Sequence, residues 1–256
     1  MLLWELLDSV KVPGGEEITL HRRGKEFAIK VNGSLLMNSL THSSEDELAA
    51  IACKRLRGVR RASVLIGGLG MGYTLAAALR GLGPDARLAV AEISPAVVGW
   101  NRGPIAHLAG SPLKDPRVTV VERDIADILR GQRGAPGGAV LEGAGRPPLA
   151  GEGGAYDAIL QDVDNGPEGL TIEANDWLYA DAGLEVAFAA LRPNGILALW
   201  SARPNRKFVK RLRRAGFTVD EVPVRGRDRW RGAHHIIYLA ARRDFPGGGR
   251  PRERSR

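Results

Sequence analysis

Residues 64–73 read Val64-Leu65-Ile66-Gly67-Gly68-Leu69-Gly70-Met71-Gly72-Tyr73. The apolar run Val64-Leu65-Ile66 lacks the alternation of a strand with one wet face, so it predicts a strand buried on both sides. The glycines that follow, Gly67, Gly68, Gly70 and Gly72, let the chain turn sharply off that strand. They also let a ligand approach the backbone while the next helix offers its free N-terminal N–H groups. No Gly-Lys-Ser/Thr follows, so this is not a Walker-type phosphate loop. A glycine run alone fits equally well a plain tight turn between strand and helix, and the flanking sequence must separate the two.

Downstream, strands and helices alternate. A helix is expected through Leu79, a strand over Leu88–Ile93, a helix over Pro95–Leu108, a strand over Val118–Glu122 and a short helix over Ile125–Leu129. Then come strands at Ala158–Leu160 and Ile196–Trp200, with a helix near Ala182–Leu191 between them, and a helix over Arg203–Ala215. Strands at Thr218–Val224 and His235–Ala241 have no helix between them and are expected to pair antiparallel at the sheet edge. The alternation predicts an α/β fold: a Rossmann-like, doubly wound, mostly parallel seven-stranded sheet.

Upstream, residues 1–42 are expected to form a separate small unit. Ile18, Leu20, Phe27, Ile29 and Val31 alternate with polar residues, and Arg23-Gly24-Lys25 and Asn32-Gly33 supply turns, so residues 16–40 read as a small β-hairpin unit. Met1–Asp8 is apolar with acids and no basic leader, which reads as a short amphipathic helix and not a signal peptide. A helix over Glu45–Leu56 is announced by Ser43 or Ser44 as N-cap, with Glu47 at capping-box spacing from Ser44. Residues 43–243 are then one Rossmann-like domain. Within it, Gly131–Gly154 is rich in Gly, Pro and Ala without periodicity and is expected to be a flexible insertion. Residues 244–256 read as a disordered basic tail.

Composition narrows the function. The 256 residues are 44% hydrophobic, enough to bury a core, and 5% aromatic, too few for a ring platform that stacks single-stranded nucleic acid. The single cysteine, Cys53, excludes an internal disulfide or a cysteine zinc cluster, and no metal-ligand spacing stands out. No apolar run reaches the ~18 residues of a membrane span, so no membrane association is expected and the location is taken as cytoplasmic. The net charge of +8 is almost all arginine excess, much of it after Ala241. Helical spacing places some of Arg203, Arg206, Lys207, Lys210, Arg211, Arg213 and Arg214 on one face, and Arg225, Arg227, Arg229 and Arg231 follow. That leaves a nucleic-acid partner as an alternative that is not favoured.

Acids at the strand ends separate a ligand loop from a plain turn. Glu92 ends the second strand about 20 residues past Gly72, where a carboxylate accepts the hydroxyls of a ribose. Asp124 follows the third strand, placed to take the exocyclic amine of a base while Ile125 packs on the base's face. Asp162 and Asp164 follow the fourth strand. Each alone also fits a helix cap; together they line one edge of the sheet and point to an adenosine-containing ligand.

With these residues in place the chain resembles the class I S-adenosylmethionine-dependent methyltransferases, through Gly68-x-Gly70-x-Gly72, Glu92, Asp124 and the strand-four acid. It is similar in particular to their spermidine-synthase-like branch. That likeness rests on the N-terminal β unit and helix before Val64-Leu65-Ile66-Gly67-Gly68, on Asp115-Pro116-Arg117-Val118, on Tyr156-Asp157-Ala158-Ile159, and on Leu191-Arg192-Pro193-Asn194-Gly195-Ile196-Leu197. It spans residues 16–241 apart from the insertion. The resemblance implies S-adenosylmethionine, or its decarboxylated form, held by Gly67, Gly68, Gly70, Gly72, Glu92, Asp124, Ile125 and Asp162. Spermidine synthases carry an acid in the glycine run that holds the amine of the decarboxylated donor, where this chain has Gly70. They carry a Tyr-Gln pair ahead of the strand, where this chain has Ser44-Glu45-Asp46-Glu47-Leu48-Ala49. Their strand-four loop reads Asp-Ser/Thr-x-Asp-Pro, against Asp162-Val163-Asp164-Asn165-Gly166-Pro167 here.

Transfer from a sulfonium requires alignment of the nucleophile with the carbon, and a base where the nucleophile carries a proton. Asp162 is the expected base or orienting acid, with Asp164 and Asn165 shaping the acceptor pocket. His42, and secondarily His234 or His235, are further candidates. Glu45, Asp46 and Glu47 fit first-turn acids favourable to the helix dipole, and Trp100 and Trp177 fit core packing. The expectation is methyl transfer to a small-molecule or peptide acceptor. Aminopropyl transfer to an amine and an RNA-binding or RNA-modifying role are the alternatives, as is a non-catalytic nucleoside binder. The resemblance also implies a homodimer.

Overall fold

The computed structural model describes residues 2–12, 15–131, 140–141, 155–163, 176–225 and 234–243. The chain opens with a four-stranded antiparallel sheet in the order β1-β2-β3-β4: β1 (Glu5–Lys11), β2 (Glu17–Arg23), β3 (Glu26–Val31) and β4 (Ser34–Asn38). Both expected turns are present: the central hairpin β2–β3 turns at Gly24-Lys25, and β3–β4 turns through Asn32 and Gly33, both with positive φ. The expected N-terminal helix is absent: residues 5–11 form a strand paired with β2 from Glu5–Arg22 to Lys11–Glu17. The helical signal had a local cause. Leu2, Leu3, Leu6 and Leu7 beside the acids Glu5 and Asp8 have helix-like spacing, but Leu2, Leu3 and Leu6 are exposed while Leu7 and Val10 pack against the core.

The second sheet follows helix α1 (Ser43–Arg55). Its elements are β5 (Ser63–Gly67), α2 (Tyr73–Gly81), β6 (Arg87–Ala91), α3 (Pro95–Arg102), β7 (Val118–Val121), α4 (Ile125–Leu129), β8 (Val140–Leu141) and β9 (Tyr156–Gln161). They continue with α5 (Asp176–Tyr179), α6 (Asp181–Ala190), β10 (Leu191–Ser201), α7 (Arg206–Arg214), β11 (Thr218–Arg225) and β12 (His234–Ala241). The order is β11-β12-β10-β9-β5-β6-β7-β8. The strands from β10 to β7 are parallel, and β12 inserts antiparallel between β10 and β11. All seven expected strands are present. The two-residue β8 joins the far edge from within the segment expected to be a flexible insertion; the rest of that segment, and the tail 244–256, lie outside the described residues.

Two helix ends differ from expectation. The N-cap of α1 is His42, not a serine, and Ser44 donates to the neighbouring Glu45 instead of closing a capping box. The first turn is held by the His42–Asp46 contact at 2.8 Å. Helix α3 stops at Arg102 because Gly103-Pro104 follows: the proline lacks an N–H and disfavours helical geometry at the glycine. The chain resumes as a 3-10 turn over Ala106–Ala109.

The sheet is buried on both faces, as the all-buried β5 shows. One face packs Leu48 and Ala52 of α1, Leu75 of α2 and Val98 of α3 against Ile66 and Ile237. The other packs Ile125 of α4, Leu184 of α6 and Phe208 and Leu212 of α7 against Leu65 and Tyr238. Arg206, Lys207, Lys210, Arg213 and Arg214 occupy the solvent side of α7. This layering brings the C-terminal ends of β5, β6, β7, β9 and β10 to one edge, where a parallel sheet opens its crevice.

Candidate active site

The glycine loop leaves β5 at that edge, and its shape is enforced by what surrounds it. Gly67 lies against Ile125 and Gly72 caps α2. Gly68 has φ +85°, and a Cβ there would stand 2.8 Å from the Asp162 carbonyl oxygen, so only glycine lets β5 and β9 close together. Gly70 has φ +52°, and a Cβ there would meet both Sδ and Cε of Met37 at 2.9 Å. Met37 comes from β4, so the N-terminal sheet fills the space beside the loop. Asn101, buried on α3, donates to the Gly70 carbonyl at 2.8 Å and fixes the loop from the other side.

The strand-end acids are held in distinct ways. Glu92 is buried just past β6, and its two oxygens accept the backbone N–H groups of Leu69 and Ser94 at 2.9 and 2.8 Å. Burial pushes its carboxyl up, and the backbone N–H groups of Leu69, Ser94, Ile93 and Gly70 work against that rise. Asp124 is the N-cap of α4 through Oδ1, which accepts Ala126 N–H at 2.8 Å, so the helix-cap reading holds for it; Oδ2 is not used by that bond. Burial raises its carboxyl above the ordinary value.

Asp162 follows β9 directly and is half-buried. Its backbone N–H donates to the Gly67 carbonyl, and its carboxylate accepts the Thr74 hydroxyl from the first turn of α2. Burial, and then the Glu45 carboxylate, raise it to about 7, with the Thr74 hydroxyl opposing. A carboxyl there is half-ionised near neutrality, suited to accept a proton. Glu45 therefore faces the site in addition to favouring the α1 dipole. It also helps to push Tyr73 up to about 12, after burial and together with Asp46. His42 stacks on Tyr73, ring centres 4.0 Å apart, and Asp46, which holds its Nδ1, is tied to Arg80 at 2.7 Å.

The structure thus brings together Gly67, Gly68, Gly70, Gly72, Asp162 and, along the α2 start, His42, with Glu92, Asp124 and Ile125 at the neighbouring strand ends. Asp164 and Asn165 lie outside the described residues. Trp100 donates to Asp8 at 2.7 Å and ties α3 to β1, while Trp177 lies under the Arg130 guanidinium at 3.8 Å, so both have structural contacts. The sequence reading missed Met37, Tyr73 and Thr74. Thr74 was within reach, as a hydroxyl in the first turn after the glycines; Met37 gave no local signal.

The fold is that of spermidine synthases. The enzyme from Thermotoga maritima matches with a TM-score of 0.66 at 15% identity, over 93% of this chain and 72% of that one. A spermidine synthase in complex with the transition state analogue AdoDATO gives 0.64 at 15% over the same shares. A probable spermidine synthase from Corynebacterium glutamicum ATCC 13032 gives 0.59 at 14%, over 96% of this chain and 82% of that one. No family model and no curated protein matches the chain. The shared part includes both the N-terminal antiparallel sheet and the Rossmann-like sheet, the architecture of the spermidine-synthase-like branch of the class I methyltransferase fold.

Proposed function

We propose that the chain is an S-adenosylmethionine-dependent methyltransferase whose acceptor is a small molecule or peptide with a protonated nucleophile. The site fits the donor: Gly68 and Gly70 keep the loop free of side chains, Glu92 stands at the strand end where a ribose would lie, and Asp124 has an oxygen beyond its cap bond for the base. When bound, the sulfonium donor supplies a methyl carbon that the acceptor's lone pair takes while sulfur keeps the electrons of the broken bond. Asp162 receives the acceptor's proton, Thr74 fixes the carboxylate's orientation, and Glu45 keeps its proton affinity high. Loss of such a base lowers transfer by about 10²–10⁴-fold.

The observation that carries methyl over aminopropyl transfer is Gly70. It sits at φ +52° with the Met37 thioether against it, so the loop presents no acid for the amine of a decarboxylated donor. Glu45 beside Asp162 favours the second reading, aminopropyl transfer, because two carboxylates attract an amine. Calorimetric titration with S-adenosylmethionine and its decarboxylated form separates them. Tighter binding of the intact donor is expected, followed by transfer of labelled methyl; tighter binding of the decarboxylated donor refutes it. We also propose a homodimer through the N-terminal sheet, where Leu2, Leu3, Leu6 and Leu35 are exposed.

A further inference from the structure

The parallel pairing of β9 with β10 sets Leu199 level with Gln161. The next residues, Trp200 and Asp162, therefore stand on adjacent strands at the ligand edge, about 4.8 Å apart along the ladder. Both face α1 and α2: Thr74 of α2 reaches Asp162, and Trp200 packs on the core layer beneath these helices. On the other side of β10, Ile237 of β12 lies opposite Trp200, and His235 two residues earlier shares its face. The His235 and Trp200 rings are 4.9 Å apart with a tilt of 35°. Asp162, Trp200 and His235 thus form a row leading away from the glycine loop across three strands.

Trp200 Nε1 and His235 Nδ1 are both shielded from solvent, and neither has a hydrogen-bond partner. An indole N–H only donates, whereas an imidazole nitrogen takes either role by tautomer. A buried polar atom left unmet costs its full desolvation, and two together in one native site call for an explanation. The contrast within this chain is Trp100, whose N–H is met by Asp8. Both rings are partly exposed at the sheet edge, so they can tilt toward a ligand in the crevice.

We propose that Trp200 and His235 form a tail subsite of the acceptor bay, taking a flat unsaturated ring that bears an oxygen, while the nucleophilic amine lies at Asp162 and Glu45. The inference rests on the transferase reading above and names its acceptor class. The ring stacks on the indole in offset fashion, and its oxygen accepts from Trp200 Nε1 and engages His235 Nδ1. The row spans two strand spacings, about 10 Å, the reach of an amine on a short chain from a hydroxylated ring. A linear diamine is a poorer occupant, because its second ammonium carries no lone pair and leaves the indole N–H unmet.

The test is calorimetry on the full chain, first with S-adenosylhomocysteine and then, with it present, with tyramine and putrescine as probes. Tyramine is expected to bind at least about tenfold more tightly than putrescine. Trp200→Phe, which keeps an aromatic ring and removes the donor, and His235→Ala are each expected to weaken tyramine about tenfold with S-adenosylhomocysteine binding unchanged. Preference for putrescine, absence of tyramine binding, or unaltered tyramine affinity in both variants overturns the subsite while leaving the donor reading intact. Failure of the wild-type chain to bind S-adenosylhomocysteine overturns both.

Discussion

Replacing Asp162 by Asn tests the ionisation argument through stability, without an acceptor in hand. The carboxyl is raised from the ordinary aspartate value of 3.8 to about 7 by burial and by Glu45. Between those values the folded chain holds a proton that the unfolded chain has lost, so wild-type stability falls as pH rises through this window and is lowest above it. Each tenfold in proton affinity is about 1.4 kcal/mol, which bounds the cost of the ionised carboxylate at about 4 kcal/mol. The group is half-buried and solvent screens part of that cost, leaving about 1–2 kcal/mol. The Asn oxygen still accepts the Thr74 hydroxyl, so the substitution removes the charge and little else. Thermal melts from pH 4 to pH 8 should show the variant gaining on wild type as pH rises, by about 2–8 °C over that range. Other titrating groups are common to both proteins and cancel in the difference. A difference that stays flat with pH, or a variant that loses ground to wild type as pH rises, refutes a raised carboxyl at Asp162.

Two further outcomes follow from backbone geometry and packing. Gly70→Asp is expected to cost about 1–2 kcal/mol, chiefly because φ +52° strains any side chain while the flexible end of Met37 yields cheaply; a Met37→Ala background should leave most of that cost in place, and its disappearance there would sink the backbone argument. Arg in place of Leu3 and Leu6, which are 85% and 55% exposed, should convert a dimer to a monomer in light scattering; a wild-type chain that runs as a monomer removes the proposed interface.

The strand pattern was legible because burial on both faces leaves its mark in consecutive residues. Val64-Leu65-Ile66 announces β5 without knowledge of any neighbour, and the strand-end acids are found by counting from it. The N-terminal strand was misread for an equally physical reason. Leucines at 2, 3, 6 and 7 share a helix-like spacing, and periodicity over so short a run cannot separate that from a strand with an exposed apolar side. Gly103-Pro104 held a usable stop signal for α3, which the longer helix reading passed over.

The site divides along the same line. Gly68, Glu92 and Asp162 could be named from sequence because each belongs to a strand end, and strand ends of a parallel sheet converge by construction. What each acid does could not be named, since that depends on partners distant in the chain. Asp162 has its proton affinity raised by burial and by Glu45 and lowered by Thr74, partners separated from it in the chain by at least β6 and β7. Gly70 is the clearest case. From sequence it is only an acid's absence, a fact about one position. In the fold the flexible end of Met37 reaches the position from a different sheet and the backbone holds φ +52°, so a side chain there needs both a left-handed backbone and a shift of Met37. A donor preference placed at position 70 therefore depends on the backbone conformation that holds the loop as well as on a neighbour from the other sheet.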